Sequence, residues 1–226
     1  MSDITLYGAT GSPFVMKTQI VLAEKGLAYQ HVPTIPTTDP LPPEAPFGWI
    51  TPELSAHTPL KKIPFIRVGA RWLADSSVIA AYLERLHPSP ALYPSDPWEY
   101  ARALWFEEYI DGGAYPKLFG TIFFERILAP MLLGRPTDQA VVDQAIAQDL
   151  PVIYSYLDRQ IGTQNFLAGG QFTIADAAAA AFFISMQIAQ AAPDRKRWPN
   201  LSRYIEQLHA RPTVAPLIEP PAGKDT

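Results

Sequence analysis

The sequence predicts an α/β N-terminal domain of βαβ–ββα order followed by an all-α helical bundle. Near the start, a short apolar run closed by glycines gives way to helical spacing. Further on, two short strand-like runs meet at Gly69-Ala70. Beyond residue 97, helical periodicity alone remains. The 226 residues are enough for two modest domains, set at 1–86 and 98–226. The stretch 87–97, with four prolines and almost no periodic apolar residues, has the composition of a linker.

Ile4, Leu6 and Tyr7 form the first strand, closed by Gly8 and Gly11. Met16, Ile20, Ala23 and Leu27 then recur with helical spacing, and Gly26 supplies a C-terminal stop. Residues 29–32 read as a second, parallel strand, which completes a βαβ unit. From 33 to 59, eight prolines remove backbone donors and fix dihedrals, so an irregular loop is expected. Strands at 63–68 and 71–73 make an antiparallel hairpin, and Val78, Ile79, Tyr82, Leu83 and Leu86 share one face of the helix that follows.

In the second half, Ala101, Leu104 and Trp105 begin one apolar stripe, and Leu118, Phe119, Ile122 and Phe123 make another. Gly112 and Gly113 weaken the join, which predicts one broken helix or two. Val142, Ile146, Leu150, Ile153 and Leu157 carry a stripe through Pro151, where the missing N–H and the ring predict a kink or a restart. Leu201, Tyr204, Ile205 and Leu208 mark a last helix opened by Pro199; Pro212 and Pro216 end regular structure, and the tail at 220–226 has a disordered composition.

Hydrophobic residues at 48% and charged residues at 18% describe an ordinary folded chain. A net charge of −4 without any Lys/Arg run excludes nucleic acid as the partner, because phosphate binding needs clustered positive charge. The absence of cysteine excludes a disulfide scaffold, a thiolate metal site and a thiol nucleophile of the protein's own, so any thiol chemistry must use a borrowed thiol. His31, His57, His87 and His209 are scattered and no phosphate-binding glycine loop is present, so no metal or nucleotide is implied. The N-terminus has neither a basic region nor a long apolar one, which makes the cytoplasm the expected location. The apolar stretch 174–192 would carry Asp176, Gln187 and Gln190 into lipid, so it is read as a buried helix and no membrane partner is expected.

Four motifs stand on this frame: SPFVMK at 12–17, TPLKKIPFI at 58–66, ADSSVIAAYLE at 74–84 and FTIADAAAA at 172–180. With the element order, they make the chain resemble the glutathione S-transferase family, in its serine-type, bacterial-like cytosolic form, over nearly its whole length. The resemblance implies a thioredoxin-like glutathione-binding domain at 1–86 and a helical domain at 98–226. It implies glutathione as co-substrate, no metal, a small hydrophobic electrophile, a homodimer with the site near its interface, and a role in detoxification. It equally admits a binding or scaffold protein of the same fold with little turnover, or a glutathione-dependent isomerase, peroxidase or dehalogenase, since fold does not dictate function.

Ser12 lies in the turn before the first helix, where a hydroxyl, backbone amides and the helix dipole favour a thiolate; the same serine, with Pro13 after it, is also an ordinary helix cap. By resemblance Ser12 donates to the glutathione sulfur, with Thr10 and Tyr7 as rival hydroxyls. The resemblance also assigns glutathione contacts to Phe14, Lys61, Lys62, Ile63, Pro64, Asp75 and Ser76. Ile63-Pro64 would be a cis pair offering the backbone of Ile63 to the cysteinyl unit, where an unrelated edge strand would carry a trans proline. Lys61 stands where the commoner family pattern has glycine, and it either reaches the glycyl carboxylate or is a solvated charge. Asp75 would face the γ-glutamyl ammonium and Ser76 its carboxylate, although both are also good cap residues. Thr173 and Asp176 form a capping box and belong to folding. Tyr109, Tyr115, Phe119 and Phe123 would line an electrophile pocket or serve as plain core.

Overall fold

The computed structural model describes residues 4–40, 45 and 48–218. The chain divides into two compact units, Met1–Leu92 and Tyr93–Thr226. The first unit runs β1 (Ile4–Tyr7), α1 (Pro13–Glu24), β2 (Gln30–Val32), β3 (Thr34–Ile35), β4 (Gly48–Trp49), α2 (Pro52–Ser55), β5 (Phe65–Val68), β6 (Arg71–Ala74) and α3 (Ser76–Leu86).

Its main sheet has the order β2-β1-β5-β6. β1 pairs parallel to β2, with Leu6 opposite His31, and antiparallel to β5, with Leu6 opposite Ile66. Ile4, Leu6 and Ile66 are buried on one face of the sheet, while Tyr7, the equally buried Phe65 and Trp72 cluster on the other, Tyr7 stacked on Phe65 at 4.8 Å. The βα turn after β1 is tight. Gly8 donates to the Val32 carbonyl, and a Cβ on it would collide with Cγ2 of Val15 in α1. Lys25, at the end of α1, is buried and donates to the carbonyls of His87 and Pro90 at 2.7 and 2.9 Å while pairing with Glu84.

The segment expected to be an irregular loop, 33–59, is more ordered than its prolines suggest. β3 and β4 pair in parallel, Thr34 opposite Gly48, and Thr51 caps the short α2 by accepting from the Leu54 N–H. The physical reason is non-local: the prolines sit outside the paired residues, and the partners lie fourteen positions apart in the chain, beyond what local composition reports. Residues 41–44, 46 and 47 of this segment lie outside the described ones.

The second unit contains α4 (Pro97–Glu108), a π-helical run Tyr109–Leu128, α5 (Ala129–Leu133), α6 (Gln139–Ile161), α7 (Ile174–Ile188), α8 (Pro199–His209) and the short α9 (Ala215–Ile218). Gly112 and Gly113 do not break the chain's helical course; they fall within the wider π turns that follow α4 without interruption. Pro151 does not end α6 either. Val142, Leu150, Ile153, Tyr154, Leu157 and Ile161 are buried on both sides of it, and their packing holds the helix through one missing hydrogen bond. α9 extends regular structure past Pro212 and through Pro216; the tail at 220–226 lies outside the described residues.

α7 is buried from Ile174 to Met186, which bears out the buried-helix reading there, but the helix ends at Ile188, short of residue 192, and Gln187 and Ile188 are exposed. Among the described residues no helix is long and apolar enough to cross a membrane. The Thr173–Asp176 capping box is present. The buried Asp176 carboxylate accepts from the N–H groups of Leu167 and Thr173, from the Thr173 hydroxyl and, at 2.6 Å, from the Tyr204 hydroxyl. Burial pushes this carboxyl up to about 6 against the pull of those four donors.

One stripe reverses its expected direction. Ala101, Leu104 and Trp105 face outward on α4, with Trp105 52% exposed and Trp98 71%, while Ala103, Phe106 and Ile110 take the core side. Both sets have helical spacing, so periodicity alone does not choose between them.

Candidate functional site

Ser12 is the N-cap of α1 by position, with extended backbone (φ −72°, ψ 124°), and Pro13 follows at the first helical position. Its backbone serves the turn, donating to Ala9 and accepting from Met16. Its hydroxyl does not cap the helix: no side-chain cap hydrogen bond is formed. Ser12 thus occupies the cap position expected of it, with Pro13 next, but the turn's backbone bonds start the helix without the hydroxyl.

A second structure is built by the loop before β5. Thr58 is buried, and its hydroxyl donates to the Lys62 carbonyl at 2.8 Å and accepts from the Lys62 N–H at 3.3 Å; the Lys61 N–H closes on the Thr58 carbonyl. The ring so formed leads directly into Ile63-Pro64, which is cis. Within it Lys61 adopts φ 53°, a left-handed conformation that glycine meets without strain, which explains physically why glycine suits this position.

The third component is the start of α3. Asp75 caps it through Oδ1, which accepts from the Ser77 and Val78 N–H groups at 2.9 and 3.1 Å. Its own N–H reaches the Pro64 carbonyl, and its backbone is held at φ 80°, ψ 130°, an outlier for a residue with a Cβ. Ser76, the first residue of the helix, is buried, and its hydroxyl has no hydrogen-bond partner among the described residues.

These parts surround one cleft of about 250 Å³, lined by Phe14, Thr58, Lys62, Ile63, Pro64, Asp75 and Ser76 together with Pro59, Leu60 and Ala74. Six of the eight residues expected to touch a ligand are thus brought to one place. Ser12 and Lys61 are not part of its lining. The sequence reasoning missed Thr58, although a short hydroxyl residue just ahead of a Lys-Lys-Ile-Pro turn is the type that bonds its own local backbone.

Tyr7, a rival for Ser12, spends its ring in the Phe65 and Trp72 cluster. In the helical unit Tyr115, Phe119 and Phe123 form a ladder of stacked rings, 4.6 and 4.3 Å apart, with Phe119 and Phe123 buried. Burial pushes the Tyr115 phenol up to about 12. Among the described residues no group of three or more His, Cys, Asp or Glu side chains could hold a metal ion.

Chemically, the cleft offers a helix N-terminus with an unengaged hydroxyl for an anion, a carboxylate whose Oδ2 is left for a cation, and the backbone beside a cis proline for an extended peptide. Residues 6–91 match the family model of the glutathione S-transferase N-terminal domain, and residues 140–207 that of the C-terminal domain. The chain is 30% identical to the GST-like protein YibF of Escherichia coli, over 96% of this chain and 98% of that one. It is 27% identical to a probable glutathione S-transferase of rice, Oryza sativa subsp. japonica, over 98% and 100%. Among solved structures, a glutathione S-transferase of Methylobacterium radiotolerans in complex with glutathione sulfonate superposes with a TM-score of 0.73 at 28% identity, covering 96% of this chain and 94% of that one.

Proposed function

The chain belongs to the glutathione S-transferase family as a glutathione S-transferase-like enzyme, and from that premise we propose that it binds glutathione in the Ile63–Ser76 cleft and activates its thiol through Ser12 for attack on a small hydrophobic electrophile. The observation that carries the reading is the Ser12 hydroxyl, which sits at the N-cap of α1 without bonding to the helix. A donor left unspent there supports a role toward a ligand.

A free thiol has a pKa of about 8.5, so only a few per cent is ionised at pH 7. One charge-assisted hydrogen bond of roughly 1.5–3 kcal/mol lowers that value by about one to two units. Ser12 supplies this bond. The glutathione peptide runs along Ile63 beside the cis proline, its γ-glutamyl carboxylate meets Ser76 and the α3 dipole, and its ammonium meets Asp75 Oδ2. Lys61, or Lys62 on the cleft wall, pairs with the glycyl carboxylate; that Lys62 lines the cleft supports its part. Phe14 covers the cleft from α1. Catalysis is then thiolate formation plus proximity.

A homodimer acting in cytoplasmic detoxification completes the proposal. The outward Trp98, Leu104 and Trp105 of α4 support an interface, since apolar side chains of this size exposed together on one helix are uncommon on a monomer.

The test is a pH titration of the ultraviolet thiolate absorbance of bound glutathione in wild type and Ser12→Ala. A lowered thiol pKa that returns toward about 8.5 in the variant is expected. Binding with an unchanged thiol would move the role to Tyr7, Thr10 or a backbone amide. Absence of binding would leave a protein of this fold without the transferase reaction.

A further inference from the structure

Thr58 lines the cleft and is only 1% exposed, yet its hydroxyl keeps no donor for a ligand. A threonine has one O–H, and here it is given to the Lys62 carbonyl at 2.8 Å, while the same oxygen accepts from the Lys62 N–H at 3.3 Å. The backbone of Thr58 is engaged as well: its N–H donates to the Leu54 carbonyl and its carbonyl accepts from the Lys61 N–H. Lys62 is exposed, so water would serve its backbone groups if the hydroxyl were absent. Folding alone therefore gives little reason for this double bond, and its effect lies in what it fixes. The Lys62 carbonyl shares a peptide plane with the Ile63 N–H, and in a trans peptide the two point in opposite directions. Thr58 thus sets the direction of the Ile63 N–H, which makes no hydrogen bond among the described residues and belongs to a residue that lines the cleft.

We propose that Thr58 is a positioning residue for peptide recognition: by holding the Lys62–Ile63 peptide plane it aims the Ile63 N–H at the cysteinyl carbonyl of the ligand, and so favours a thiol that carries such a carbonyl over one that does not. The inference rests on the glutathione reading and deepens it, adding a specificity determinant that acts through a neighbour's backbone and not by its own contact with the ligand. A donor fixed before the ligand arrives need not be ordered on binding, which is how a residue with no free donor of its own raises affinity.

Calorimetry on the full chain decides the matter with glutathione, with γ-glutamylcysteine, which keeps an acceptor oxygen at the cysteinyl carbon but lacks the glycyl unit, and with γ-glutamylcysteamine, which lacks both. For Thr58→Val, which keeps the shape and removes the hydroxyl, affinity for the first two is expected to fall about tenfold, equivalent to about 1.4 kcal/mol, while affinity for γ-glutamylcysteamine changes less than about twofold. Thr58→Ser, which keeps the hydroxyl, should restore most of the loss. Equal losses on all three ligands would show a merely structural role, and a loss on glutathione alone would place the effect on the lysines and the glycyl carboxylate; either overturns the inference, as would no loss at all. Where γ-glutamylcysteamine binds wild type too weakly to titrate, the Ile63 amide proton decides by NMR: it should move downfield as glutathione saturates wild type and much less in saturated Thr58→Val, and equal shifts overturn the inference. Where Thr58→Val fails to fold, Thr58→Ala takes its place with the same expectations. Wild type that binds none of the three ligands would overturn the glutathione reading itself, an outcome distinct from wild-type binding with unselective variants.

Discussion

Lys25 Nζ lies 2.7 Å from Glu84 Oε2, with the lysine side chain wholly buried and the glutamate side chain 15% exposed. The same ammonium donates to the carbonyls of His87 and Pro90, and Glu84 Oε2 also accepts from the Leu92 N–H. One cation thus ties the end of α1 to α3 and to the chain that leaves it. Truncating one member of a buried, hydrogen-bonded pair leaves the other without compensation. Lys25→Met should cost roughly 3–5 kcal/mol in urea unfolding of the protein. A loss below about 1 kcal/mol would mean the pair is structurally idle.

Ser12→Ala should separate folding from chemistry. An N-cap serine that bonds its helix contributes about 1 kcal/mol. Ser12 makes no such bond, so its replacement should change unfolding free energy by less than about 0.5 kcal/mol. A full cap-sized loss would place the hydroxyl back in the helix start and weaken its claim on a ligand.

Lys61→Gly should stabilise the fold. Relief of the left-handed backbone is worth about 1–2 kcal/mol and the added unfolded-state freedom of glycine offsets roughly 0.5–1, leaving a gain of up to about 1.5 kcal/mol, visible as a raised urea midpoint. Glutathione affinity would fall in the same variant only if the lysine reaches the ligand.

At Asp75 the cap and the charge are separable. Asp75→Asn retains an oxygen that caps α3 and should be nearly neutral for stability, while it removes the partner of the proposed ammonium and should weaken glutathione binding about tenfold. Asp75→Ala should lose both, with a stability cost of about 1 kcal/mol. Calorimetric binding equal to wild type in Asp75→Asn would remove this residue from the site.

Acid should reveal a separate ion pair in the helical unit. Arg135 holds both oxygens of Glu125 at 2.7 Å and the Asp138 N–H adds a third bond, so the Glu125 carboxyl is held well below the usual range, at about 2. A depressed folded pKa stabilises above the unfolded value of about 4.3 and is lost as pH falls through the folded one. Unfolding followed between about pH 5 and pH 2 should therefore show wild type and Glu125→Gln converging as the pH drops. Parallel curves would show that Glu125 titrates alike in both states.

Much of the first unit was legible because its signals are local. Gly8 and Gly26 punctuate α1, and the Gly69-Ala70 turn marks the hairpin. What escaped was settled by contacts between distant residues. Thr34 and Gly48 pair across a proline-rich stretch that hides them, and the packing of α6 overrides Pro151. On α4 and into the run that follows it two apolar stripes compete, and tertiary structure selects Ala103, Phe106 and Ile110 for the interior. At the cleft, the motif residues were recognisable by type, whereas the supporting role of Thr58 was not, since a threonine advertises burial only once its partner is known.

The contact between Gly8 and Val15 carries a historical implication. A methyl group at position 8 has nowhere to go while the valine keeps both of its γ-carbons, so the glycine is locked by its neighbour rather than by its own backbone. Trimming the valine first opens the space. A lineage that changes the glycine therefore meets a lower cost where a smaller residue at 15 comes first.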